Sequence, residues 1–160
     1  KRVQITLQNL RKKYPNEVQF GYRHFPLPFH KEAEVLAQAV ECARDQNKFW
    51  ELQELFYEND TNSTSENEIL KLVRLAGIKD IPAFQLCLRN GKYEKRVQND
   101  IRDGVALGIQ GTPTFILGAY DPESKTVSGK MFSGAVSEEK FVRVIERFLA
   151  STRTEAKLNR

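Results

Sequence analysis

Gly108-Ile109-Gln110-Gly111-Thr112-Pro113-Thr114-Phe115 decides the fold, because a run of turn-formers ends in Thr-Pro and passes straight into the apolar Ile116-Leu117. Proline has no amide hydrogen to give a ladder, so Pro113 belongs at the head of a strand and not inside one. The carbonyl and amide of the residue before it, Thr112, then stay free to pair with an extended peptide, and Gly111 allows close approach. A cis bond suits such a turn, yet only about 5 to 6% of X-Pro bonds in folded proteins are cis, so the residues alone leave the isomer open. Downstream, Thr114 to Leu117 reads as a strand, Asp121-Pro122-Glu123-Ser124 as a turn and Thr126 to Phe132 as a returning strand, together a hairpin. Ser137 caps a last helix with Phe141, Val144, Ile145, Phe148 and Leu149 on one face, and residues 151–160 are expected to fray as a charged tail.

Upstream, Val3, Leu7 and Leu10 recur at helical spacing through Tyr14, and Pro15-Asn16 breaks that helix. Val18, Phe20 and Tyr22 alternate with Gln19, Gly21 and Arg23, which predicts a half-buried strand, and Phe25-Pro26-Leu27-Pro28-Phe29 leaves it as a loop. From Lys31 on, five helices follow. Ala33, Leu36, Ala39, Val40 and Ala43 mark the first, and Phe49, Leu52, Leu55 and Phe56 the second. Ser65 and Glu68 have capping-box spacing before Ile69, Leu70, Val73 and Leu75, with Gly77 as a left-handed stop. Asp80 opens a helix carrying Phe84, Cys87 and Leu88, and Tyr93, Val97, Ile101 and Val105 give one more face before Gly108. The order suits an α/β sandwich, residues 1–30 and 109–150, interrupted by a helical insert, residues 31–108.

With 160 residues, 40% hydrophobic and 29% charged, the chain fits one ordinary globular domain. The first residues lack the apolar block of a signal peptide, and no apolar run reaches the roughly 18 residues that a membrane span needs. Net charge is +4, but Lys and Arg interleave with Asp and Glu along each helix, a solvated pattern that argues against a nucleic-acid face. Two histidines, His24 and His30, and two distant cysteines make a poor metal set. Phe49, Trp50, Phe56 and Phe84 read as insert core in preference to a peptide groove. Asn62-Ser63-Thr64 matches a glycosylation acceptor formally and reads better as a solvated loop. Cys42 and Cys87 sit among apolar residues of the insert, either as buried free thiols or as a disulfide partnership.

Five phrases stand in one order: Tyr22-Arg23-His24-Phe25-Pro26-Leu27-Pro28-Phe29-His30, Glu41-Cys42-Ala43, Lys48-Phe49-Trp50-Glu51, Cys87-Leu88 with Gly91-Lys92-Tyr93, and Gly111-Thr112-Pro113-Thr114-Phe115. Together with Phe132-Ser133-Gly134-Ala135 before the last helix, they make the chain resemble the DsbA-like thiol-disulfide oxidoreductases over nearly its whole length. The resemblance implies a thioredoxin-like sandwich with a helical insert and a cis Thr112-Pro113 loop that grips peptide and keeps metal from neighbouring thiolates. It also implies a bacterial, periplasmic or otherwise extracytoplasmic setting, and a structural Cys42–Cys87 disulfide of the kind some relatives carry. No cofactor is implied.

The departure lies at the front, where such proteins place a central strand and a Cys-x-x-Cys at the start of the first long helix. Here the second cysteine of that pair would fall at or just before Lys1. This chain is therefore expected to be part of a longer protein. A sheet without its middle strand leaves buried backbone groups unpaired, at about 1 to 3 kcal/mol each. A strand swapped in from a second copy is the other way to fill that place. In the full protein the resemblance implies oxidation or isomerisation of cysteines in exported polypeptides, with a membrane redox protein as partner. The alternative is a redox-inactive module that holds extended peptides.

Overall fold

The computed structural model describes residues 2–30, 32–59 and 65–158. Its elements are α1 (Arg2–Lys13), α2 (Ala33–Arg44), α3 (Phe49–Glu58), α4 (Glu66–Leu75), α5 (Ile81–Arg89), α6 (Glu94–Ala106), β1 (Thr114–Asp121), β2 (Thr126–Ser133) and α7 (Glu138–Leu158). They divide into two compact units, Lys1–Tyr22 with Gly111–Arg160, and Arg23–Gln110. The first division falls eight residues before the boundary read at residue 30, because Arg23 and His24 are bonded into the helical unit (30 − 22 = 8). The glycosylation-like Asn62-Ser63-Thr64 lies outside the described residues.

In the first unit, α1 and α7 lie together and α7 also packs on β1. Leu10, Tyr14, Phe141 and Ile145 are buried, and Phe115, Leu117 and Phe132 close on them from the hairpin. Phe141 stands edge-on to Phe115 at 4.9 Å between ring centroids, the geometry that ring quadrupoles favour. The hairpin is antiparallel from Thr114↔Ser133 to Asp121↔Thr126, with Lys125 at positive φ in the turn. Gly118 and Gly129 face each other at its middle, where a Cβ on either would sit 2.1 Å from a backbone oxygen of the partner strand. The last helix continues to Leu158, so the segment read as a fraying tail is helical for eight residues beyond Ala150 (158 − 150 = 8).

One strand expected from the sequence does not form. Val18, Phe20 and Tyr22 are half-buried while Gln19 and Gly21 are exposed, as the alternation predicts, yet the segment joins no ladder. Alternation records which side chains face a core. A strand also needs a neighbouring backbone, and the sheet among the described residues holds β1 and β2 only.

In the helical unit α2 is the hub, packed against α3, α5 and α6. Ala39 and Ala43 are small enough to let those helices close, and Cys42, Leu52, Val73, Phe84 and Val97 are almost wholly buried with them. The stops and caps follow the sequence. Ser65 Oγ accepts from Glu68 N, Asp80 Oδ1 accepts from Ala83 N at 2.9 Å, and Gly77 ends α4 at φ +79°. Two faces differ from those read by periodicity. Leu75 is exposed and Leu72 takes its place, while α6 buries Val97, Asp100 and Gly104 and leaves Val105 outside.

Candidate functional site

Thr112-Pro113 is a cis peptide bond at the head of β1. The loop is pinned on both sides of Thr112. Thr114 Oγ1 donates to the Gly111 carbonyl at 2.7 Å, and the Pro113 carbonyl accepts from Gly134 N at 2.8 Å. Thr112 itself is exposed and makes no hydrogen bond among the described residues. A Cβ added at Gly111 would meet nothing within 4 Å, so that side of the loop is open. A fixed loop with a free amide and carbonyl, beside a strand that among the described residues is paired along one edge only, has the geometry that could pair with an extended chain.

Cys42 and Cys87 form a disulfide between α2 and α5, with Cα atoms 6.0 Å apart across a separation of 45 residues. Both are buried, at 2% and 8% exposure. The bridge therefore holds two helices together from within the buried part of the helical unit. Phe49, Phe56 and Phe84 are core side chains, as read, and Trp50 lies edge-on to Phe49 at 5.0 Å. Among the described residues, no three His, Cys, Asp or Glu side chains gather to hold a metal ion. No helix among the described residues is long and apolar enough to cross a membrane.

The sequence reading missed a buried charge network next to that bridge. Glu41 is 1% exposed, and its carboxylate meets His24 Nε2 at 2.9 Å, Arg44 Nε at 2.8 Å and Arg96 Nε at 3.1 Å. An ionised carboxylate only accepts, so His24 Nε2 carries the hydrogen. Burial alone pushes the Glu41 pKa up, but the hydrogen bonds from His24 and Arg44 and the charges of Arg44 and Arg96 outweigh it, holding the pKa at about 2. The Arg44 guanidinium also lies over the Phe49 ring, 4.1 Å from its centroid. Asp100, 4% exposed, accepts the backbone N–H of His24 at 2.9 Å and pairs with Arg23. His24 is thus a member of a buried pair, whereas His30 is exposed beside Phe29. The signal that could have found the network is a charged residue on an apolar face: Glu41 beside Val40 and Ala43, and Asp100 on the face of Val97.

A family profile described as "Thioredoxin" matches residues 2–147. Curated relatives include the "Na(+)/H(+) antiporter NhaA 1" of Mycolicibacterium gilvum, 30% identical over 149 residues, which cover 91% of this chain and 22% of that one. The "Na(+)/H(+) antiporter NhaA" of Herminiimonas arsenicoxydans is 24% identical over 92% of this chain and 21% of its own length. The protein of the former name from Salinispora arenicola is 26% identical over 85% and 19%. The chain spans about a fifth of the length of these relatives.

Proposed function

From the premise that this chain belongs to the thioredoxin family, we propose that it is the peptide-gripping part of a DsbA-like thiol-disulfide oxidoreductase of the bacterial cell envelope. Its substrates are extended, cysteine-containing segments of exported proteins. The observation that carries the reading is the free backbone of Thr112, held beside Pro113 at the head of β1. Gly111 and Thr112 bind peptide as an added strand, and Pro113 keeps that backbone turned outward. The two cysteines of this chain are bonded to each other, so the reading calls for a reactive pair supplied outside these residues.

The relatives' names favour a second reading, in which this module is one portion of a cation/proton antiporter polypeptide and serves it by holding peptide, with or without redox chemistry.

Calorimetric titration of this chain with an extended cysteine-containing peptide tests the first reading. Replacing Thr112 by Pro, which removes its amide hydrogen, is expected to abolish binding, while a change on the far end of the hairpin leaves it intact. Binding indifferent to Thr112 and Pro113 sinks the proposal. On the whole protein, oxidation of a reduced unfolded substrate separates the oxidoreductase from a binding module.

A further inference from the structure

The polypeptide passes between the two units at Tyr22–Arg23 and again at Gln110–Gly111, and one turn and a half of α6 holds the chain next to both crossings. On the incoming side, Asp100 pairs with Arg23 and accepts the His24 amide, while the His24 ring is fixed from α2 by Glu41. One turn along, Gly104 is buried against Phe25 so closely that a Cβ there would lie 2.6 Å from the ring. The same residue serves the outgoing side, since its carbonyl accepts the Ile109 amide at 2.9 Å. Gly108, at φ +72°, supplies the left-handed step that turns Ile109 back onto it. Ile109 stands two residues before Gly111 (111 − 109 = 2).

We propose that Asp100 and Gly104 form a clasp joining the incoming segment Arg23–Phe25 to the outgoing segment Ile109–Gln110, and are thereby positioning residues for the Gly111-Thr112-Pro113 loop. A buried aspartate satisfied by one arginine and one backbone amide, on a helix face that periodicity would give to apolar side chains, has a place-holding task. Gly104 is where the two segments meet: its Cα side admits Phe25, and its carbonyl seats Ile109. Loosening the first contact tilts the second, and the loop follows within two residues. The importance of the loop rests on the peptide-gripping reading. The clasp does not, and it is read without any peptide.

Backbone ¹⁵N relaxation on this chain, with the Cys42–Cys87 disulfide intact, supplies the test. In the parent protein Gln110, Gly111 and Thr112 are expected to show order parameters near about 0.85, and Asp100→Ala lowers them below about 0.6 while α3 and α4 keep theirs. Asp100→Asn, which retains an acceptor for the His24 amide, falls between. Gly104→Ala reproduces the loss by displacing Phe25, and adding Phe25→Leu restores part of it. This pair decides the matter should Asp100→Ala fail to fold. Loop order unchanged in Gly104→Ala, or a loss spread evenly over the helical unit, overturns the proposal. A parent chain that shows this pattern and binds no extended peptide leaves the clasp standing and removes the functional reading.

Discussion

The helical unit and the sandwich unit solve the same problem with different means. The helical unit closes on itself: it buries Leu52, Val73 and Phe84, ties α2 to α5 covalently, and ties α2 to α6 through Glu41 and Arg96. Among the described residues, the sandwich unit has four buried core residues, a sheet with one ladder, and apolar side chains such as Ile116, Tyr120, Val127 and Met131 between 41% and 51% exposed on the hairpin. The sparsely built unit carries Thr112, exposed and without a hydrogen bond among the described residues. The difference teaches that the open backbone of Thr112 stands in the unit with the smaller buried core and the fewer cross-links, the kind of region in which local opening costs least.

The comparison breaks or sharpens at identifiable residues, and Trp50, the single tryptophan, reports the helical unit alone. Phe141→Ala removes the ring that both Phe115 and Phe132 meet, and is expected to cost about 3 to 5 kcal/mol. Amide exchange across β1 and β2 then rises to that of an unfolded chain while Trp50 fluorescence keeps its native transition. A Trp50 midpoint moving in step would mean that the units melt as one. Reducing the Cys42–Cys87 bridge, or replacing both residues by alanine, is expected to cost about 2 to 4 kcal/mol in the helical unit. Denaturant titration followed at Trp50 measures it, and a hairpin that weakens equally contradicts the separation.

Glu41→Gln comes next, at about 1.5 to 3 kcal/mol near neutral pH, because the remaining amide accepts hydrogen bonds without a charge to answer Arg44 and Arg96. Its sign with pH follows from the lowered pKa. The unfolded carboxyl takes up its proton near the ordinary 4.5 and the folded one near about 2, so the stabilisation is whole above 4.5 and is lost as pH falls toward 2. Urea midpoints taken across that window are expected to drop steeply for the parent and less steeply for the variant. Parallel slopes would remove Glu41 as the cause. The smallest effect is Asp80→Ala, about 1 kcal/mol from the lost cap on Ala83 N, seen at Trp50 and absent from the hairpin amides.

Local chemistry was legible in the sequence wherever one residue suffices to carry it. Ser65 and Asp80 as caps, Gly77 as a stop and the Thr112-Pro113 turn could be placed because each acts on backbone within a few residues. Partnership over distance was not. The alternation of Val18, Phe20 and Tyr22 told which side is covered and could not tell whether a ladder exists. On α6, counting apolar residues chose Ile101 and Val105, whereas the fold buries Asp100 and Gly104, one for its charge and the other for its lack of a side chain. Neither property enters a hydrophobic period. The same blindness hid His24 and Glu41, whose burial makes sense only as a pair joined across 17 positions.

The facing glycines of the hairpin impose a lasting restriction. With a partner oxygen 2.1 Å from where any Cβ would go, neither Gly118 nor Gly129 can be exchanged without prying the ribbon apart. A saturation library of this hairpin would return diversity at its rim and two silent columns at its waist. An engineer wishing to retune the surface must work outward from that bare midpoint.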